Sequence, residues 1–248
     1  MSNKLFMKNL AISSADLYVY GEIVDEKWWD SDIDAKDLRD AIDGLGNGST
    51  LNIYVNSPGG SVFVASAMTA MLERAKERGV TVNAYVDGLA ASAASFLIMA
   101  ADNIIMYKNS MIMVHKPMSY AFGNANDLQS TIDALNTIEE SVMIPLYEKK
   151  AIGDIEAIKQ MINNETWLSA EETAEFFNVT ISENEAQIAA MADRELLSRY
   201  KNVPEALANI PKPEQAPMPT PKAEPEPAPA PIDYSRFEKT LDNLRKER

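Results

Sequence analysis

Short apolar runs alternate with helical patterns through the first half of this chain of 248 residues. Five of the runs have the length and the β-branched or aromatic content that is typical of strands: residues 17–23, 51–55, 80–86, 104–107 and 111–114. Helical patterns cover residues 35–45 and 63–78, and Gly79 follows the second at the position where a glycine often ends a helix. This alternation predicts an α/β domain with a mainly parallel sheet.

The longest helical pattern occupies residues 125–150. Apolar side chains recur along one stripe of it at the spacing of an α-helix: Leu128, Ile132, Leu135, Ile138, Val142 and Leu146. The stripe predicts burial, either in the core of the domain or against another subunit. Pro145 predicts a kink or a break near the end, because proline removes a hydrogen bond and collides with the preceding turn.

Proline content rises sharply towards the C-terminus, where ten of the 13 prolines lie between Pro204 and Pro231. Such a segment buries too little apolar surface to offset the entropy lost on ordering, so it predicts an extended linker. The final residues place four apolar side chains on one helical face: Tyr234, Phe237, Leu241 and Leu244. That pattern fits either a solvated tail or a short amphipathic helix that docks to a partner.

The predicted organisation therefore has four parts. Residues 1–181 form the folded domain, and residues 182–203 form a helical extension with a helical pattern at 186–200. A disordered Pro-rich linker follows at residues 204–231, and a short amphipathic segment ends the chain at residues 232–248.

Composition excludes several classes of function. The net charge of −14 argues against nucleic acid and against an anionic membrane as the main partner. No apolar run reaches the length of a membrane-spanning helix, and residues 1–10 lack the apolar stretch of a secretory signal. The absence of cysteine excludes disulfides, thiolate metal sites and a thiol nucleophile. We expect a soluble cytoplasmic protein without a metal or a cofactor.

Ser92 is the first candidate for chemistry. The predicted strand at 80–86 leads through Asp87-Gly88 into an Ala/Ser-rich helix start, where free N–H groups and the helix dipole favour negative charge. Ala90 and Ala94 supply the small residues that a nucleophile elbow needs on both sides of its serine. The same composition also suits close helix packing, and Ser95, nearly one turn further on, is predicted to be a packing residue.

A glycine-containing turn, Asn56-Ser57-Pro58-Gly59-Gly60, directly follows the predicted strand at 51–55. Two glycines allow positive φ and expose backbone N–H groups, so this turn can cradle an oxyanion. Taken alone, it is equally well a tight connection between a strand and a helix. It is not a nucleotide-binding loop, because the Gly-Lys-Ser/Thr ending is missing.

His115 is the only histidine of the chain, and it follows the predicted strand at 111–114. Imidazole is the side chain best suited to take a proton near neutral pH. A lone histidine is by itself an ordinary core or surface residue. Because the carboxyl ends of parallel strands meet at one edge of a sheet, however, we expect His115 to lie beside Ser92 and Gly60. This convergence favours a catalytic role for His115.

These three segments, at residues 56–60, 88–92 and 113–117, resemble the signature segments of the Clp protease proteolytic subunit family. Their order and approximate spacing agree with the family, and the similarity extends over about residues 17–174. The segment at 165–172 and the Pro-rich extension further resemble the Clp-related head maturation proteases of tailed phages and prophages.

The resemblance implies a serine endopeptidase with a crotonase-like fold of repeated β-β-α units. Ser92 matches the nucleophile, His115 the general base, and the backbone N–H groups of Gly60 and Ala93 the oxyanion hole. Glu165 stands where the family usually has the aspartate of the triad, and a longer carboxylate can still orient the imidazole. A different acid or a backbone carbonyl could serve instead, and Glu165 could be only a charge at a helix terminus.

Two further implications concern the rest of the domain. Residues 125–150 match the handle helix that protrudes between stacked rings, so the resemblance implies a homo-oligomer built of one heptameric ring or of stacked rings. Residues 176–179 read Phe-Phe-Asn-Val where the family has a Gly-hydrophobic-Asp turn, which predicts an altered connection to the last strand.

The function implied by the resemblance is ATP-independent cleavage of capsid or scaffold proteins during phage head maturation, in the host cytoplasm or within the procapsid. Three alternatives stay open at this point. The chain could be an unfoldase-dependent degradation subunit, an inactive assembly or scaffolding protein, or an acyl-CoA enzyme on the related crotonase fold.

Overall fold

The computed structural model describes residues 13–29, 31–184 and 194–208. Of the linker predicted at residues 204–231, only residues 204–208 are described, and residues 205–208 are helical instead of extended. The rest of the linker and the amphipathic segment at 232–248 lie outside the described residues, as do residues 185–193 of the predicted extension. Within the described ranges, no helix is long and apolar enough to cross a membrane.

Seven strands of the described residues form one mixed sheet. They are β1 (Ser14–Ile23), β2 (Thr50–Gly60), β3 (Thr81–Ala91), β4 (Asn103–Tyr107), β5 (Met111–Val114), β6 (Thr166–Ser169) and β7 (Thr180–Ser182). The main path runs β1-β2-β3-β4-β7 and all its pairs are parallel, while β5 joins β3 in parallel and β6 in antiparallel register. The predicted α/β domain with mainly parallel pairing is confirmed.

β2 and β3 run further than the sequence predicts, and this extension creates the site. The end of β2 continues through the glycine turn and pairs Gly60 with Ile23. The end of β3 leaves β4 and pairs with β5 instead, so that Ala91 lies opposite Met113. Small residues carry little strand signal of their own, which is why the prediction ended both strands five residues early.

Nine helices of the described residues accompany the sheet. They are α1 (Ala35–Asp43), α2 (Val62–Glu77), α3 (Ala93–Ile98), α4 (Ala125–Ile138), α5 (Ile144–Glu148), α6 (Ile155–Asn164), α7 (Ala170–Phe176), α8 (Arg194–Leu197) and α9 (Glu205–Ala208). Asp34 caps α1 through a capping box with Asp37, and Ser61 caps α2. Gly79 follows α2 with φ of +84°, as its predicted position after the helix requires.

The helical region predicted at residues 125–150 is interrupted in the structure. A π-helical segment at Glu139–Met143 separates α4 from α5. The cause is Pro145, whose ring cannot pack against the carbonyl of Ser141 in a regular α-helix, so the preceding turn widens. The predicted break near Pro145 is therefore confirmed.

The apolar stripe of that region is buried only at its C-terminal end. Leu146 is buried, and Ile138 and Val142 pack against the core. Leu128 and Ile132 remain 42% and 49% exposed, so the core of this chain does not cover the N-terminal part of α4, and burial there against another subunit stays a prediction.

The core lies between the sheet and the helices packed on it. β1 alternates buried and half-buried residues along its whole length, as one face packs on the helices. Every residue of α3 is buried, and its side chains contact the core between the sheet and α2. α3 therefore provides a rigid base for the residue that precedes it, Ser92.

Candidate active site

Ser92 occupies a strained turn between β3 and α3. Its φ and ψ are +52° and −122°, a conformation that residues with a side chain rarely adopt. Its N–H donates to the carbonyl of Met113 over 2.9 Å, and its carbonyl accepts the N–H of Ser95 over 2.9 Å. Backbone hydrogen bonds on both sides thus hold the turn, and the serine side chain lines a pocket.

Ser95 stabilises this turn from the interior of the domain. It is fully buried, and its hydroxyl donates to the carbonyl of Ser92 over 2.6 Å. The same hydroxyl lies 2.7 Å from the hydroxyl of Tyr147, which is also fully buried. Ser95 therefore lies in the packed interior, away from the pocket, and links the turn at Ser92 to α5.

His115 follows β5 and faces Ser92. Its Nε2 lies 2.7 Å from Ser92 Oγ, and only 5% of the residue is exposed. Burial lowers the pKa of His115 to about 4, and the nearby charge of Glu165 acts in the opposite direction. The imidazole is therefore neutral at physiological pH, which is the state in which it can accept a proton.

The glycine turn packs directly on Ser92. Gly59 has φ of +94°, and a Cβ added there would lie 2.7 Å from the Cβ of Ser92 and 3.0 Å from the nitrogen of Ala93. Gly60 has φ of +144°, and a Cβ there would collide with the carbonyl of Ile23. Both positions need glycine for conformation and for space.

Ser57 fixes the shape of this turn. It is buried, its hydroxyl donates to the carbonyl of Gly21 over 2.6 Å, and it accepts the N–H of Gly59 over 3.1 Å. Gly60 lines the pocket beside Ser92, whereas Ala93 is buried as the first residue of α3.

Glu165 is held by a different part of the chain. It ends α6 in the left-handed conformation, and its Oε1 accepts the N–H groups of Lys201 and Asn202, each over 2.6 Å. Among the described residues, no hydrogen bond joins Glu165 to His115. Its charge nevertheless reaches the imidazole, since it raises the pKa of His115 against the effect of burial.

The pocket around Ser92 has a volume of about 740 Å³. Its lining combines apolar and polar side chains: Val62, Phe96, Pro117, Met118, Met143 and Arg199. A cavity of this size and mixed character suits a segment of peptide or a drug-sized ligand.

The model of the Clp protease family matches residues 41–177, which is more than half of the chain. This chain belongs to the Clp protease family. The matched range contains Ser92, His115 and Glu165, together with the glycine turn. Family membership thus agrees with the resemblance on which these residues were assigned.

The chain is similar to several Clp protease proteolytic subunits, at low sequence identity. The chain is 29% identical over 126 residues to "ATP-dependent Clp protease proteolytic subunit 1" of Prochlorococcus marinus (strain MIT 9312), covering 50% of this chain and 63% of that protein. It is 27% identical over 150 residues to the protein of the same name from Salinibacter ruber, covering 59% and 62%. The "ATP-dependent Clp protease proteolytic subunit" of Bacteroides thetaiotaomicron is 25% identical over 137 residues, covering 54% and 60%. The chain thus spans about three-fifths of the length of these relatives.

One residue beside His115 was not predicted from the sequence as part of the candidate site. Tyr200 is 6% exposed, and its ring centroid lies 5.2 Å from that of His115 at an interplanar angle of 76°. It belongs to the predicted helical extension, beyond the family-matched range. The only signal in the sequence is the spacing of Leu197 and Tyr200, which places two apolar side chains on one face of a helical turn.

Proposed function

We propose that this chain is a serine endopeptidase in which Ser92 attacks the peptide carbonyl and His115 accepts the serine proton. The observation that carries the proposal is the 2.7 Å contact between His115 Nε2 and Ser92 Oγ, at a serine held with positive φ after a strand. Nucleophile and base within hydrogen-bond reach, on a strained elbow, form the arrangement that acyl transfer requires.

The reaction follows from these positions. With the proton of neutral His115 on Nδ1, Nε2 accepts the proton of Ser92 as Oγ bonds to the carbonyl carbon. The N–H groups of Gly60 and Ala93 stabilise the oxyanion, and protonated His115 then gives its proton to the leaving amine. Water, deprotonated by the same imidazole, releases the acyl group and restores the serine.

Glu165 is the proposed third member of the triad, acting through its charge. Its carboxylate favours the imidazolium that forms during each step, because it raises the pKa of His115. The two backbone N–H groups that it accepts hold this charge in place.

For the biological role, we favour ATP-independent cleavage of capsid or scaffold proteins during phage head maturation. Two features support this choice, namely the segment at residues 165–172 and the Pro-rich extension, both of which resemble that branch of the family. The exposed apolar side chains of α4 support a homo-oligomer, since Leu128 and Ile132 would be covered if α4 packed between stacked rings as a handle helix.

A second role is favoured by the names of the relatives, which are ATP-dependent Clp protease proteolytic subunits. In that role the chain would degrade proteins that an unfoldase delivers. Cleavage of purified capsid or scaffold protein without ATP supports the first role. Cleavage that occurs only with an added unfoldase and ATP supports the second.

The chemistry is tested with a fluorophosphonate probe and with casein as a general substrate. We expect wild type to be labelled and to cleave casein, and both activities to vanish in Ser92→Ala and His115→Ala. Ser66→Ala is the matched control, because this serine of α2 does not line the pocket and should leave both activities unchanged. Equal labelling of wild type and Ser92→Ala would refute the proposed nucleophile, and a folded but unlabelled wild type would indicate an inactive assembly protein.

A further inference from the structure

Residues 194–208 pack beside the site although they lie beyond the family-matched range. Leu197 and Tyr200 are buried in a small apolar cluster of their own. The cluster is completed by three residues from the strands that carry the nucleophile and the histidine: Leu89, Ala91 and Met113. The segment is thus anchored on the back of β3 and β5, immediately before Ser92 and His115.

Tyr200 contacts both His115 and the glycine turn. Its ring meets the imidazole of His115 edge to face, and on another side it meets the indole of Trp167, with centroids 6.0 Å apart at 74°. Its hydroxyl donates to the carbonyl of Pro58 over 2.6 Å. Pro58 directly precedes Gly59, which packs on the serine, and Gly60, so one side chain ties the histidine to the proposed oxyanion turn.

The residues on either side of Tyr200 are fixed as well. Arg199 forms a salt bridge to Glu22 of β1 over 2.6 Å. The N–H groups of Lys201 and Asn202 bind the carboxylate of Glu165. Anchors to two different elements, β1 and the C-terminus of α6, flank Tyr200 and leave its ring little freedom to move.

We propose that Tyr200 is a positioning residue of this active site, holding the His115 imidazole towards Ser92 and the Pro58 carbonyl at the start of the oxyanion turn. This inference rests on the proposed function. The edge-to-face contact fixes the plane of the imidazole, and the hydroxyl fixes the turn. The catalytic site would then include a segment outside the family-matched range.

Removing the ring should change the surroundings of His115 in a measurable way. Tyr200 covers the imidazole, and burial is the main cause of its lowered pKa. In Tyr200→Ala, water reaches the imidazole, and the pKa of His115 should rise from about 4 towards its ordinary value of 6.5. The other groups near His115 are unchanged in this variant: Ser92 and Glu165, which act on the imidazole, Lys116, which follows it in sequence, and Arg199, which lines the same pocket.

The hydroxyl can be tested apart from the ring. Tyr200→Phe keeps the edge-to-face contact but loses the hydroxyl, which bonds to the carbonyl of Pro58 and also interacts with the side chain of Ser92, so the pKa of His115 should stay near the wild-type value. The rate constant of fluorophosphonate labelling should fall about tenfold, the effect of one hydrogen bond to a group that orients an oxyanion donor. If Tyr200 had only a structural role, Tyr200→Phe would not slow labelling while leaving the pKa of His115 unchanged.

The experiment uses the full chain and reads the lone histidine by NMR, since a single imidazole gives a single Cε1–H signal. Wild type, Tyr200→Phe, Tyr200→Leu and Tyr200→Ala are titrated from pH 3.5 to 8, and labelling is measured at pH 7. Tyr107→Phe, on β4 and away from the pocket, is the control and should match wild type in both measurements. Tyr200→Leu keeps apolar bulk and serves if the alanine variant does not fold.

We expect the pKa of His115 to rise in the alanine variant and to rise less in the leucine variant, which covers the imidazole only in part, while labelling slows in all three Tyr200 variants. An unchanged pKa, or labelling that is faster than in wild type, would overturn the inference, the latter because the segment would then be an obstruction. Failure of the proposed function looks different: wild type would not be labelled at all, while the NMR titration would still report whether Tyr200 covers the histidine.

Discussion

Acidification should destabilise this protein through one side chain, His115. The pKa of the buried imidazole is about 4, whereas an unfolded chain returns it to 6.5. Between these values the unfolded state binds a proton that the folded state does not, so stability is complete above pH 6.5 and is lost as the pH falls towards 4. Each pH unit in this interval costs about 1.4 kcal/mol, so His115 alone should remove about 3 kcal/mol between pH 7 and pH 4.

The matched comparison is His115→Gln, which keeps a polar side chain of similar size but cannot titrate. The free energy of unfolding is measured by urea denaturation for both proteins at several pH values between 4 and 7.5. The 37 acidic residues affect both proteins alike, so the difference between the two curves isolates the histidine. The wild-type advantage should shrink by about 3 kcal/mol on acidification. A difference that stays constant across this range would refute the burial of a neutral imidazole at this position.

Two substitutions in the glycine turn extend the test to the shape of the site. Gly59→Ala places a methyl group 2.7 Å from the Cβ of Ser92 at a φ of +94°, so the serine must shift and fluorophosphonate labelling should fall on the order of 10²-fold; labelling at the wild-type rate would contradict the packing described. Ser57→Ala leaves the carbonyl of Gly21 and the N–H of Gly59 without their buried partner. Urea denaturation should show a loss of about 2–4 kcal/mol, and a loss below about 0.5 kcal/mol would argue against this network.

The part of the site that sequence could predict is the part governed by local pattern and sheet topology. Gly60, Ser92 and His115 each follow a predicted strand. Their convergence can be predicted because parallel strands present their carboxyl ends at one edge of the sheet. The pairing of Ala91 with Met113 then places Ser92 next to His115.

What sequence could not predict depends on contacts distant along the chain. Tyr200 reaches His115 only because Leu197 and its neighbours pack on β3 and β5, and no local pattern encodes that docking. The hydrogen bonds of Glu165 to residues 201 and 202 have the same origin. The exposure of Leu128 could not be predicted either, since an apolar stripe does not specify whether its own chain or another covers it.

The central claim is that Ser92 is the residue that forms the covalent bond, and mapping of the probe adduct tests it most directly. Tryptic cleavage after Arg78 and Lys108 yields the peptide of residues 79–108, whose only serines are Ser92 and Ser95. Fragmentation of that peptide after fluorophosphonate labelling at pH 7 should locate the adduct on Ser92, and none should form in His115→Ala. An adduct on Ser95, or on a serine outside this peptide, would contradict the account.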